Sequence, residues 1–193
     1  MTNIQKILTR ANIYGRVSMQ LIENRTQIAP GSFTKSFLGS DYRPRGISNN
    51  NPGNILLTQI DWKGKIPNAE NSDKKFEQFE AYVYGVRAMI VLLKNYMQKQ
   101  GLKTVTDIVN KWSPGNLNYV RYVATRLNVQ DNAPLSANKD TIKALVTAIA
   151  NFENGIGSNE KPAIAEGDFE AAWSDVDFNV IGALLFRLTL IKK

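Results

Sequence analysis

Glu153 is the residue of this chain whose type and spacing best suit the movement of a proton. Ile142, Val146 and Ile149 recur at helical intervals. Four positions further along the same stripe lies Glu153, just before Asn154-Gly155. A carboxylate on a core-facing stripe, at the last turn before a glycine stop, is a poor choice for stability alone. Partial burial would disfavour its ionised form. The C-terminal end of the helix dipole would push the same way, by a few tenths to about 1 kcal/mol. A carboxyl group that keeps its proton near neutral pH is what protonation of a glycosidic oxygen requires. The plain alternative is a helix-end residue turned to solvent.

Composition removes most competing chemistries. The chain has no Cys and no His, so thiol nucleophiles, Ser-His-Asp triads and histidine-ligated zinc are absent. Cysteine peptidases and zinc amidases are excluded with them, whereas carboxylate-based glycoside chemistry survives. Nothing in the sequence calls for a metal or another cofactor. The net charge of +7 favours an anionic partner or simply keeps the protein soluble. The basic residues are spread out, with only a short Arg43-Pro44-Arg45 cluster, which argues against sequence-specific nucleic-acid recognition.

Three further groups are candidates for substrate contact. Asn49, Asn50, Asn51 and Asn54 lie in a Gly- and Asn-rich loop. Asn and Gly tolerate positive backbone angles, and Asn amides both donate to and accept from the N-acetyl and hydroxyl groups of amino sugars. Trp62, Tyr84 and Tyr119 are candidate sugar platforms, although such aromatics more often serve the core. Glu77 and Glu80 are candidate second carboxylates. They precede a long helix, where solvated acidic side chains also favourably meet the helix N-terminus.

The elements that must position these groups are mainly helical. Residues 1–42 read as an N-terminal helical arm, patterned from Ile4 to Ile22, followed by a Pro- and Gly-containing linker. The main domain is expected over 43–193. It opens with a long turn at Gly46–Asn54, followed by a small β element from Ile55–Trp62 and Lys75–Phe79. Val86, Met89, Ile90, Leu93 and Met97 then mark a long helix closed by Gly101. Thr104 with Asp107 predicts a capping box. Leu117, Val120, Ala124 and Leu127 mark a third helix, Ile142 to Ile149 a fourth, and a last helix is expected over Asp177–Ile191. The apolar segments are too short to predict a membrane span. The N-terminus lacks a signal-peptide pattern, so a wall-directed activity would need a virion or a membrane pore to deliver it.

Taken together, Arg45-Gly46-Ile47, Asn49-Asn50-Asn51-Pro52-Gly53-Asn54-Ile55, Trp62, Gly64, Phe76, Phe79 and Tyr84-Gly85-Val86-Arg87-Ala88-Met89 form a recognisable order. It continues through Gly101-Leu102, Trp112-Ser113-Pro114, Tyr119-Val120, Leu127-Asn128-Val129 and Ala148-Ile149-Ala150 to Glu153-Asn154-Gly155. This pattern, over residues 43–167, resembles a family of phage virion-associated lytic structural proteins. The resemblance implies a lysozyme-like, lytic-transglycosylase-like fold, mainly α with a minor β part (α+β at most). It also implies Glu153 as the catalytic acid and bacterial peptidoglycan as the partner, with other virion proteins alongside. The expected location is the virion, acting on the host cell wall in the periplasm. Family members usually carry His just before that Glu, whereas this chain has Phe152.

The expected activity is cleavage between N-acetylmuramic acid and N-acetylglucosamine, as a lytic transglycosylase or muramidase. Two alternatives remain open: a non-catalytic virion protein that binds glycan, and a peptidoglycan endopeptidase.

Overall fold

A computed structural model describes residues 34–41 and 43–176. The helices expected at Ile4–Ile22 and Asp177–Ile191 lie outside the described residues. Within them the protein is mainly helical. In chain order the helices are α1 (Arg45–Ser48), α2 (Tyr82–Gln98), α3 (Val105–Trp112), α4 (Leu117–Leu127), α5 (Lys139–Glu153) and α6 over 166–176. No helix among the described residues is long and apolar enough to cross a membrane.

The periodic stripes form these helices as expected. Val86, Met89, Ile90 and Leu93 of α2 have no exposed surface, and Gly101 beyond its end takes a left-handed φ of 71°. Helix α3 opens on the Thr104–Asp107 capping box, with both reciprocal hydrogen bonds formed. Ile142, Leu145, Val146 and Ile149 of α5 are wholly buried. Helix α5 packs against both α2 and α4, and α3 contacts α2 and α4. The end of α5 is thus fixed from two sides.

Three features differ from the expectations. The small β element shrinks to two isolated antiparallel bridges, Leu56 with Phe76 and Lys65 with Phe79. The segments between them are spent on turns and on a buried ion pair instead of a continuous ladder. The start of the expected long turn at Gly46–Asn54 is helical, as α1. Helix α6 was not anticipated. It buries Phe169, Ala172 and Val176 on one face and is tied to α5 by the Lys139–Glu170 and Lys143–Glu166 ion pairs.

Residues 34–41, expected in the linker, make close contacts with the main body. The Tyr82 amide donates to the Lys35 carbonyl at 2.8 Å. The Phe37 amide donates to Asn50 Oδ1 at 2.7 Å, and Lys35 pairs with Asp168 of α6.

Candidate functional site

The loop over 46–54 carries the structural half of the site. Its left-handed positions are Asn50 (φ 53°) and Asn54 (φ 47°), residues whose short polar side chains tolerate that conformation. Gly46 is needed for space. A Cβ there would stand 2.7 Å from Asn154 Oδ1, 2.8 Å from Asn54 Oδ1 and 2.9 Å from the Asn51 carbonyl. Gly85 of α2 plays the matching part on the other side, since a Cβ would fall 1.9 Å from the Asn50 carbonyl. Backbone therefore lies directly on helix, and the loop is pressed between α2 and the end of α5. Asn154 locks this contact by donating 2.7 Å hydrogen bonds to the Pro52 and Ala150 carbonyls.

Glu153 is half-buried at the C-terminal end of α5, and each of its carboxylate oxygens has its own donor. Asn54 Nδ2 donates to Oε2 at 3.0 Å, and the Tyr119 hydroxyl donates to Oε1 at 3.1 Å. Asn54 also reaches the Glu153 carbonyl at 3.3 Å. Tyr119 comes from α4 and is 1% exposed. Its ring stacks on Phe152 at 3.8 Å between centroids. Burial first, then the nearby Glu153 charge and the hydrogen bond to it, push the Tyr119 phenol far above its ordinary value. Tyr119 therefore stays protonated and keeps a proton to donate.

Of the candidate residues, the structure brings Asn54 and Tyr119 onto Glu153 and places the others elsewhere. Tyr119 does so through its hydroxyl. Its ring is buried against Phe152 and offers no face to a sugar, which corrects the expectation of a platform.

Asn49, Asn50 and Asn51 are at most 5% exposed, and their amides are consumed internally, so they are not available to a substrate. Asn49 joins Asp73 and Gln78. Asn50 joins Phe37, Ser36 and Phe79, and Asn51 joins Ile55 and Glu77. They are the internal fasteners of the loop. Trp62 is buried in the core. Tyr84 packs its ring against Gly64, with the Lys63 ammonium 5.9 Å from the ring centre.

Of the two further carboxylates, Glu77 differs from the solvated role expected and Glu80 does not. Glu77 has no exposed surface, so it is not a solvated helix-capping residue. Its Oε1 accepts from Thr58 N and Oγ1 and from Lys65 Nζ, at 2.9, 2.7 and 3.0 Å. Glu80 is exposed. Neither side chain shares a hydrogen-bond partner with that of Glu153.

Sequence reasoning missed Asn154 and Gly46 as parts of the Glu153 surround, and it marked Phe152 as the neighbour of Glu153 without its stack on Tyr119. The available signal was the pair of glycine–asparagine segments at 46–54 and 154–155, which meet across the site.

No family model matches the chain. Over 118 residues it is 33% identical to "Protein P5" of Pseudoalteromonas phage PM2, a match covering 58% of this chain and 71% of that protein.

Proposed function

From the premise that this chain belongs to the same family as Protein P5 of Pseudoalteromonas phage PM2, we propose that it is a phage peptidoglycan glycosidase with Glu153 as general acid. The observation that carries this reading is the hold on Glu153. One carboxylate oxygen is fixed by Asn54 and the other by Tyr119, at a half-buried helix end. A proton-transfer group must be held in one orientation to act on a bound glycosidic oxygen, and two donors from two different elements supply that. A lysozyme-like assignment of the helical domain fits the same picture, as does a virion-borne role directed at the host wall.

The proton balance of the transglycosylase route closes on Glu153 alone. Protonated Glu153 donates to the oxygen joining N-acetylmuramic acid to the next sugar, and that bond breaks. The resulting carboxylate then accepts the proton of a hydroxyl on the same muramic residue as that hydroxyl attacks its anomeric carbon. Glu153 ends reprotonated, and no water is consumed. A hydrolytic route would call on a second carboxylate about 5–9.5 Å from the first, whereas this route runs on Glu153 with its Asn54 and Tyr119 donors.

Mass spectrometry of fragments released from purified peptidoglycan by wild type and by Glu153→Gln tests this reading. Anhydro-muropeptides from wild type alone are expected. Reducing-end muropeptides would replace the transglycosylase route with hydrolysis. Release of free amino groups without new sugar ends would replace the glycosidase with a peptidase. Saturable glycan binding with no fragments would leave a non-catalytic virion protein.

A further inference from the structure

We propose that Arg126, Tyr122 and Phe152 form a subsite beside Glu153 that takes a carboxylate-bearing sugar of the glycan. The proposal rests on the glycosidase reading for the identity of its ligand and on separate residues for its chemistry.

Tyr119, Tyr122 and Arg126 follow one another at intervals of three and four along α4, so they lie on one helix face. That face meets the end of α5. The Phe152 ring, already stacked on Tyr119, lies 5.2 Å from the Tyr122 ring at 58°. The Arg126 guanidinium lies 5.1 Å from the Tyr122 ring centre. A strip thus runs from Glu153 along two half-buried rings to an exposed cation.

The guanidinium is held in place and left unneutralised. Its Nη2 donates to Ser158 Oγ at 2.9 Å, in the turn that follows Glu153. Arg45 and Arg87 spend their guanidinium groups on Asp73 and Asp175, whereas Arg126 forms no ion pair among the described residues. A planar cation with free donors, fixed on an aromatic face, suits bidentate recognition of a carboxylate. The rings beside it suit the apolar face of a sugar. Alternating neutral and lactyl-bearing sugars present both features where the lactyl carboxyl carries no stem peptide, and the excess of basic residues favours the same ligand class.

The test uses the full chain carrying Glu153→Gln, to stop turnover, and two oligosaccharides of equal length in calorimetric titrations. One contains N-acetylmuramic acid with its lactyl carboxyl free and the other only N-acetylglucosamine. The acidic oligosaccharide is expected to bind about tenfold more tightly. Arg126→Gln should remove that ratio while leaving the neutral ligand's affinity in place, and Arg126→Lys should keep part of it. Equal affinities, a ratio unchanged in Arg126→Gln, or binding of neither ligand would each overturn the subsite. Cleavage by the otherwise unaltered chain is scored separately. Cleavage without the ratio overturns the subsite and leaves the glycosidase standing. The ratio without cleavage supports the subsite and removes the glycosidase.

Discussion

The Tyr119 hydroxyl stands 3.1 Å from Glu153 Oε1 and 3.3 Å from the Ile149 carbonyl, one helical turn earlier. It has one proton and two acceptors. When Glu153 is ionised, that proton points to the carboxylate. When Glu153 is protonated, its own O–H can donate to the phenol oxygen, and the phenol proton turns to Ile149. The same atoms thus satisfy both states of an acid–base group without moving the backbone. Burial first, then the Glu153 charge and hydrogen bond, hold the phenol far above its ordinary range, so Tyr119 does not compete for the proton being transferred.

Tyr119→Phe is therefore expected to reduce turnover about tenfold with little change in KM, because orientation is lost while substrate contacts remain. The stack on Phe152 survives, so unfolding free energy should fall by only about 1 kcal/mol. Fragment-release kinetics with a parallel urea titration check both. A large KM change at constant turnover would point to a binding role instead.

Gly46→Ala probes the fit between the loop and the end of α5. The added methyl meets Asn154 Oδ1, Asn54 Oδ1 and the Asn51 carbonyl, all within 3 Å. Moving Asn54 disturbs one of the two donors on Glu153. Expected are a stability loss of about 1–3 kcal/mol and a fall in turnover larger than that of a surface alanine control. Denaturant melts and wall-fragment assays on the same preparation separate the two effects.

What the sequence makes readable here is what is local. Ile142, Val146 and Ile149 announce the α5 stripe, and counting four more reaches Glu153. Thr104 and Asp107 announce the start of α3 because both halves of a capping box lie within one turn. The partners of Glu153 are not readable that way. Asn54 is 99 positions away and Tyr119 is 34 away, and no period links them. The polar character of Asn49, Asn50 and Asn51 suggests a surface that meets ligand. Their burial follows from long-range hydrogen bonds, such as those to Phe79 and Glu77, that only the folded chain reveals. Helix α6 could have been found from Phe169, Ala172, Trp173 and Val176, whose spacing of three, one and three is helical.

Asp73 sets an acid-stability prediction. Burial alone would raise its carboxyl. Hydrogen bonds from Arg45, Asn49 and the backbone amides of Phe76 and Lys75 outweigh that and hold it well below the usual carboxylate range. A depressed folded value means the contribution is fully present above the unfolded value of about 3.9, and is lost as pH falls towards the folded value. Wild type should therefore lose stability relative to Asp73→Asn between about pH 4 and pH 2. At neutral pH the variant should be the less stable of the two. Thermal melts across that range decide it, and parallel curves for the two proteins would contradict the assignment.

The Glu77–Lys65 pair yields the sharpest stability test. Lys65 is 8% exposed and Glu77 not at all, with 3.0 Å between their charged atoms, and Lys65 also donates to the Thr58 carbonyl at 2.6 Å. Removing only the cation leaves a carboxylate inside the protein with Thr58 as its donor, so Lys65→Met is expected to cost about 3–5 kcal/mol. In Lys65→Met/Glu77→Gln the amide oxygen still accepts from Thr58 N and Oγ1, but no uncompensated charge remains inside. The double variant should therefore be more stable than the single one, although it has lost more of the original interaction. A double-mutant cycle by urea denaturation, completed with Glu77→Gln alone, measures the coupling. Additive losses would mean that water already neutralises the pair and that Glu77 is not the closed internal anchor its burial implies.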